Sequence, residues 1–312
     1  MSIIKRSVNS YEIPDPEKAE IQTWDEPAFE KTGVGVDVLR LDKIHTIVSG
    51  NKWFKLKYYL AEVTQAGKKG IITFGGPYSN HLLATAFACH QSGFSSVGIV
   101  RGHKPVAYSQ TLKDAQSFGM ELQFISGENY TDSEFIKQIQ QSYREFLFVA
   151  EGGRGELGIK GAQEILHLAM ANPYSHVICA VGTGTMMTGI LNSCNRNQLV
   201  VGIPVLKLRQ QNANTMCELI GDNSGYSNFV LRYDYHFGGY AKKTKDLIHF
   251  MNRLYDQHKI PTDFVYTGKL FYATMDLVEG GFFDRRSKIL LVHSGGLQGN
   301  RSLPEGTLHF SY

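Results

Sequence analysis

Residues 177–189 read V-I-C-A-V-G-T-G-T-M-M-T-G. A short apolar, β-rich run enters a turn of Gly182, Thr183, Gly184 and Thr185, and a helical segment follows. A strand that becomes a helix through such a turn is the repeating unit of a parallel α/β sheet. The unit recurs. Further β-rich runs stand at D-V-L-R-L (37–41), G-I-I-T-F (70–74), S-V-G-I-V (96–100) and E-L-Q-F-I (121–125). Others are F-L-F-V-A (146–150), H-V-I-C-A-V (176–181), L-V-V-G-I (199–203) and K-I-L-L-V-H (288–293). Segments with a 3.6-residue period separate them, at His81–Ser92, Ile159–Ala171 and Ala241–Tyr255. The alternation predicts an α/β fold, and the strand count suits two sheets. No repeat, low-complexity run or linker marks a domain boundary.

The bulk numbers narrow the class of function. A chain of 312 residues can bury a sizeable core and makes one large or two ordinary domains. A formal net charge of +3, without a basic stripe or tail, is no nucleic-acid footprint. No run is apolar for long enough to span a bilayer, and the first ten residues lack the apolar core of a signal peptide. Cys89, Cys179, Cys194 and Cys217 form no Cys-x-x-Cys pair, and three of them sit in or beside apolar runs. They read as buried free thiols, and a cytoplasmic location is expected. The eleven histidines show no ligand spacing, so no metal is expected.

Ligands of open α/β sheets bind beyond the carboxyl ends of strands. Besides the turn at 182–185, three others qualify: G-G-P-Y-S-N-H (75–81), E-G-G-R-G-E-L-G-I-K-G (151–161) and S-G-G-L-Q-G-N (294–300). Ser79 and Asn80 are good N-caps, and the free N–H groups at such a helix start favour an anion. Glycines after a strand also serve tight turns alone. The dinucleotide pattern G-x-G-x-x-G fails at 182, because its third glycine falls on Met187, and no P-loop lysine follows Thr185. Nicotinamide and nucleoside-triphosphate enzymes lose most of their support. A phosphate cup of glycine, threonine and backbone amides remains.

The stretch S-G-N-K-W-F-K-L-K-Y-Y-L (49–60) has apolar residues at Trp53, Leu56, Leu60 and Val63, so a helix starts near Asn51. Lys52, Lys55 and Lys57 crowd its first turns, where cations oppose the helix dipole at a few tenths of a kcal/mol each. A misplaced lysine together with a phosphate cup suggests pyridoxal phosphate, which binds a lysine through its aldehyde.

The wording of these segments resembles the 1-aminocyclopropane-1-carboxylate deaminase and D-cysteine desulfhydrase family, pyridoxal-phosphate enzymes with the tryptophan-synthase-β-like fold. S-G-N-K-W-F-K-L-K-Y is similar to its lysine segment, V-L-R-L-D (38–42) to the strand before it, and T-F-G-G-P-Y-S-N-H (73–81) to its G-G-x-x-S-N turn. V-G-T-G-T (181–185) looks like its phosphate loop, and F-V-Y-T-G-K (264–269) and V-H-S-G-G (292–296) like two late site segments. These motifs stand in the family's order over nearly the whole chain. The resemblance implies fold type II: two open, mainly parallel sheets flanked by helices. It also implies a large domain of 1–52 and 156–312, a small domain of 53–155, and a homodimer.

Residue roles follow from the same resemblance. Lys52 forms the Schiff base and serves as general base. Asn80 donates to the phenolic oxygen of the cofactor, and Ser79, Asn80 and His81 hold the substrate carboxylate. Gly182, Thr183, Gly184 and Thr185 cradle the phosphate with Lys55 assisting, while Lys57 is solvated. Tyr240, in H-F-G-G-Y, and Tyr266 line the substrate side, completing a catalytic set with Lys52 and Ser79. Ordinary packing competes as an account of two tyrosines out of sixteen.

The departures are informative. The family's deaminases carry an acid right after the late tyrosine and a leucine before the paired glycines, where this chain has Thr267 and Ser294. Small hydroxyls at both points look like the desulfhydrase branch, with Ser294 among the cofactor contacts. A carboxylate beside the pyridine nitrogen strengthens the electron sink, which opening a cyclopropane demands and expelling a thiolate does not. The resemblance therefore implies β-elimination from D-cysteine, giving pyruvate, ammonia and sulfide. The alternatives are the deaminase itself or a lyase for D-serine or a β-substituted alanine. Two further departures, a short N-terminal region and the continuation L-Q-G-N-R (297–301), leave the pocket wall open. A dehydratase or β-replacement synthase of the same fold fits G-N-K and G-G-P-Y-S-N less well. A binding protein with a relict pocket is disfavoured by intact Lys52, Asn80 and phosphate turn.

Overall fold

Runs of consecutive apolar residues form strands buried on both faces, because a parallel sheet is covered by helices on either side. In the computed structural model, which describes residues 13–169, 173–207 and 227–311, every expected strand forms. One sheet has the order β1-β2-β10-β7-β8-β9, built from Glu20–Thr23, Gly35–Arg40, Lys288–His293, His176–Val181, Leu199–Pro204 and Phe229–Leu231. Only β1 runs antiparallel, at the edge; Ile289 of β10 pairs with Val36 on one side and His176 on the other. The second sheet is all parallel, β5-β4-β3-β6, from Met120–Ile125, Ser95–Arg101, Gly70–Gly75 and Phe146–Val149. The architecture is α/β with two open, mainly parallel sheets, as expected.

Helices α1 (Pro27–Thr32), α2 (Asn51–Gln65), α3 (Asn80–Gln91), α4 (Gln110–Ser117), α5 (Ser133–Ser142) and α6 (Glu156–Ala162) are followed by α7 (Thr185–Ser193), α8 (Lys245–His258) and α9 (Thr267–Glu279). The periodic segment Ala241–Tyr255 starts later than its pattern suggests. Ala241 is held at φ +52°, and the Thr244 hydroxyl caps the helix by accepting from Leu247 N at 3.2 Å. The segment expected over Ile159–Ala171 is α6 plus a tighter 3-10 stretch, Gln163–Ala169; residues 170 and 171 lie outside the described residues.

Helix α2 joins the two halves. Phe54 enters a core with Leu39, Ile165 and Met187, whereas Leu56, Tyr59, Leu60 and Val63 enter another with Ile71, Phe87 and Val149. Burying a side chain of the size of Phe54 contributes about 2–3 kcal/mol. Trp53 is only partly buried, between both cores, so the buried face is wider than the expected 53/56/60/63 stripe. Lys57 corrects a further expectation. It is not solvated but pairs with Glu164, which also accepts from Tyr58 Oη at 2.6 Å. Cys89 and Cys179 are buried and Cys194 is half-buried, all free; Cys217 and the first ten residues lie outside the described residues. Among the described residues no helix is long and apolar enough to cross a membrane.

The α2–α6 contact is close because Gly161 has no side chain. A Cβ there would stand 1.8 Å from the Phe54 carbonyl oxygen. Gly161→Ala is expected to destabilise the protein by about 1–3 kcal/mol despite its better helix propensity. Gly35→Ala, with nothing within 4 Å of its new carbon, is expected to stay within about 0.5 kcal/mol. Chemical denaturation of both variants checks this.

Candidate active site

The carboxyl ends of β3, β4, β6, β7, β8 and β10 open onto one cavity of about 410 Å³ between the sheets. Its floor is the start of α2. Asn51 N donates to Ser294 O at 3.1 Å, and Gly50 N to Leu41 O at 2.8 Å, so the helix begins against the end of β10. Gly50 sits at φ +68°, and a Cβ on it would lie 1.7 Å from the Ser294 oxygen. No other residue fits. One residue into the helix, Lys52 turns into the cavity and donates to Asn51 Oδ1 at 2.8 Å. Burial pushes its ammonium down to about 8 against the pull of the Asp263 carboxylate. The amine is still mostly protonated near neutral pH, but a far larger share of it is free and nucleophilic than in an ordinary lysine.

Lys55, one turn on, is buried and donates to Gly152 O at 3.2 Å. Burial, then the neighbouring Lys52 charge, holds it well below the usual lysine range. Both lysines face the loop Gly182–Gly184 that leads β7 into α7. Thr183 is on the cavity wall; Thr185 is buried behind it, their hydroxyls 3.0 Å apart.

Across the cavity, Ser79 caps α3, its Oγ accepting from Leu82 N at 3.2 Å. The first N–H groups of that helix have no intrahelical acceptor. Asn80 Nδ2 donates to Gly296 O at 3.1 Å, while its buried Oδ1 has no protein partner. The buried imidazole of His81 has a defined tautomer. Thr73 gives its one hydroxyl proton to Val149 O at 2.7 Å, so at 2.8 Å it accepts from His81 Nε2–H. His81 Nδ1 is then a buried lone pair without a partner. Burial, with Lys52 and Lys55 adding to it, holds this ring well below its usual pKa and keeps it neutral.

Tyr266 and the half-exposed Tyr240 complete the wall, their rings edge to face with centroids 6.2 Å apart. Burial first, then the neighbouring phenol and Asp263, keeps the Tyr266 proton well above its ordinary range. Ser294 is buried on the wall at the end of β10. Thr267 is not on the wall. Its hydroxyl donates to Asp263 Oδ1 at 2.8 Å and accepts from Asp263 N at 2.8 Å.

Two residues escaped the reading of the sequence. Asp263 is fully buried and accepts from the N–H groups of Val265, Tyr266 and Thr267 at 2.8–3.0 Å. Burial raises its pKa against the pull of these bonds. An aspartate just ahead of a helix start is a local signal for such a turn. Lys269, fully buried on α9, ends the segment F-V-Y-T-G-K, but its acceptors lie too far off in the chain for a role to be read from it.

The residues suit an aldehyde that carries a phosphate. A buried amine with a lowered pKa stands ready for the aldehyde, a glycine-threonine loop at a helix start for the anion, and two orphaned buried acceptors, on Asn80 and His81, await a polar ligand. The comparisons agree. A family model described as pyridoxal-phosphate dependent enzyme matches residues 26–295. The 1-aminocyclopropane-1-carboxylate deaminase of Mesorhizobium japonicum is 29% identical, over 79% of this chain and 82% of that protein. The mitochondrial bifunctional D-cysteine desulfhydrase/1-aminocyclopropane-1-carboxylate deaminase of Arabidopsis thaliana is 26% identical, over 92% of this chain and 77% of that one. A crystal structure of an ACC deaminase homologue superposes with a TM-score of 0.76 at 26% identity, covering 91% of this chain and 90% of that one. With an amine, an anion cup and a family match over most of its length, the chain belongs to the pyridoxal-phosphate dependent enzymes.

Proposed function

We propose that this enzyme catalyses β-elimination on a small amino acid in the manner of a D-cysteine desulfhydrase: D-cysteine and water become pyruvate, ammonia and sulfide. The observation that carries the reading is the buried Lys52 amine, its pKa lowered to about 8, held in one cavity between two helix starts that can each take an anion. When bound, pyridoxal phosphate supplies an aldehyde that captures the substrate amine and an electron sink that acidifies the α-carbon.

The chain's own residues do the rest. Gly182, Thr183, Gly184 and Thr185 hold the phosphate through N–H and hydroxyl donors, and a dianion there returns to Lys55 the proton that burial drives off. Asn80 meets the phenolic oxygen with its second amide proton, and Ser294 offers the pyridine nitrogen a neutral hydroxyl. The N–H groups of Ser79, Asn80 and His81 take the substrate carboxylate. Lys52 Nζ removes the α-proton, and Tyr240 and Tyr266, both protonated at working pH, face the departing sulfur. In this reading 53–155, which includes the four-stranded sheet, is the small domain, and 1–52 with 156–312 the large one.

A second reading, deamination of 1-aminocyclopropane-1-carboxylate, is favoured by the names of the relatives. Against it stands the chemistry of two positions. Thr267 and Ser294 bring no carboxylate to the cavity, and the Thr267 hydroxyl is committed to Asp263. D-Serine or a β-substituted alanine would use the same residues with a poorer or different leaving group.

A panel of D- and L-amino acids and the cyclopropane compound, with ammonia and sulfide measured, separates these readings. D-Cysteine is expected to give the fastest release of sulfide; rapid turnover of the cyclopropane compound without sulfide from D-cysteine would overturn the proposal. Lys52→Ala is expected to abolish the visible Schiff-base absorption band and to lower kcat at least about a hundredfold. The pKa of Lys52 sets a pH dependence. Below about 8 its amine carries a proton and cannot attack the aldehyde; above it the amine is free. The rate at which added pyridoxal phosphate produces the band in cofactor-free protein is therefore expected to rise with pH and reach half its maximum near 8. An ordinary lysine would place that midpoint at about 10.4.

A further inference from the structure

Tyr240 sits in a segment that does not hold its own shape. Phe237, Gly238, Gly239 and Ala241 all have positive φ, at 51°, 95°, 121° and 52°. Two of them are not glycine, and such a conformation persists only where the surroundings over-determine it. The segment's internal bonds are three: Gly238 N donates to His236 Nδ1 at 2.8 Å, Gly239 N to His236 O at 2.9 Å and Lys242 N to Gly239 O at 3.2 Å, the last sharing its carbonyl with a shorter bond from outside. After Tyr240 come the exposed Lys242 and Lys243.

The missing support comes from α9. Lys269, fully buried, donates to Gly239 O at 2.7 Å, His236 O at 2.9 Å and Val205 O at 3.4 Å. An ammonium has three protons, and here each has a backbone carbonyl. Burial lowers its pKa to about 8 against the pull of Asp263, so near neutral pH it is still mostly a cation, solvated by the loop carbonyls. The same helix begins one residue after Tyr266, whose backbone N–H is held by Asp263. One rigid helix start thus orders both phenols. Asp263 gathers N–H groups on the Tyr266 side, and Lys269 gathers carbonyls on the Tyr240 side.

We propose that Lys269 is a positioning residue: its buried ammonium draws in the carbonyls of Val205, His236 and Gly239 so that Tyr240 is held edge-on to Tyr266 at the substrate wall. The inference rests on the reading above in which both phenols face the substrate. It adds a residue that touches neither substrate nor cofactor and acts through Tyr240.

The test uses the holoenzyme and the amino acid that the wild-type enzyme turns over fastest in the panel, so a failure of the proposed reaction is seen before any variant is made. Lys269→Met, Tyr240→Phe and the double variant are compared for kcat and KM. Tryptic cleavage after Lys242 and Lys243 is timed by mass spectrometry, a readout independent of turnover. Lys269→Met is expected to keep the cofactor band and speed that cleavage about tenfold, while kcat falls about tenfold or more. In the Tyr240→Phe background it is expected to cost less than about twofold further. Unchanged cleavage overturns the positional claim. Full multiplication of the two losses, or a Tyr240→Phe enzyme with undiminished kcat, overturns the link through Tyr240. Should Lys269→Met not fold, Gly239→Ala disturbs the same carbonyl from the loop side and is expected to show the same faster cleavage and the same non-additivity.

Discussion

The hydrogen bond from Asn51 N to Ser294 O is the contact on which the site depends. It sets the first turn of α2 against the end of β10, in a space that only glycine at position 50 can occupy. Since α2 also fills both adjoining cores, Lys52 is delivered to the gap between the two sheets with little freedom left. Its lowered pKa is a consequence of that placement. The low dielectric of the gap disfavours the ammonium, and so does the positive end of the helix.

The rest of the cavity is arranged around the same imbalance. Lysines, helix starts and glycine-threonine donors face inward, while the buried carboxylate of Asp263 is kept off the wall and satisfied by backbone N–H groups. On the wall Glu151, its pKa raised by burial, stands against Lys52, Lys55 and Arg101, an excess of cationic groups that suits anions such as a phosphate or an amino-acid carboxylate. His81 fits the pattern as a neutral acceptor, because two nearby lysines make a second proton on the ring costly. Lys269 solves the opposite problem. Its cation is offset by carbonyl dipoles, which orders a loop without putting another charge beside the substrate.

A solved relative shares the scaffold, with a TM-score of 0.76. Position 267 carries more meaning in three dimensions than as a letter in F-V-Y-T-G-K. The threonine hydroxyl completes the Asp263 turn, so an acid at that point would sit against an existing buried carboxylate. The residue at 267 is thus coupled to how the start of α9 is capped.

The strands, the glycine turns and Lys52 as a candidate at the start of its helix were legible in the amino-acid sequence. Continuous apolar runs, strand-end glycines and helix periodicity are local properties, and the family motifs are written in them. Pairing was not legible: Lys57 reaches Glu164, 107 residues on, and the acceptors of Lys269 lie 30–64 residues away. Nor did the letters at 185 and 267 say which way their hydroxyls turn. The sequence alone determined the kinds of elements and the candidate chemistry, since these depend on neighbours in the chain. Only the tertiary structure decided which lysines have lowered pKa values, which hydroxyl faces the cavity and what lies against the Tyr240 segment, because burial and pairing are imposed by residues brought together from far apart.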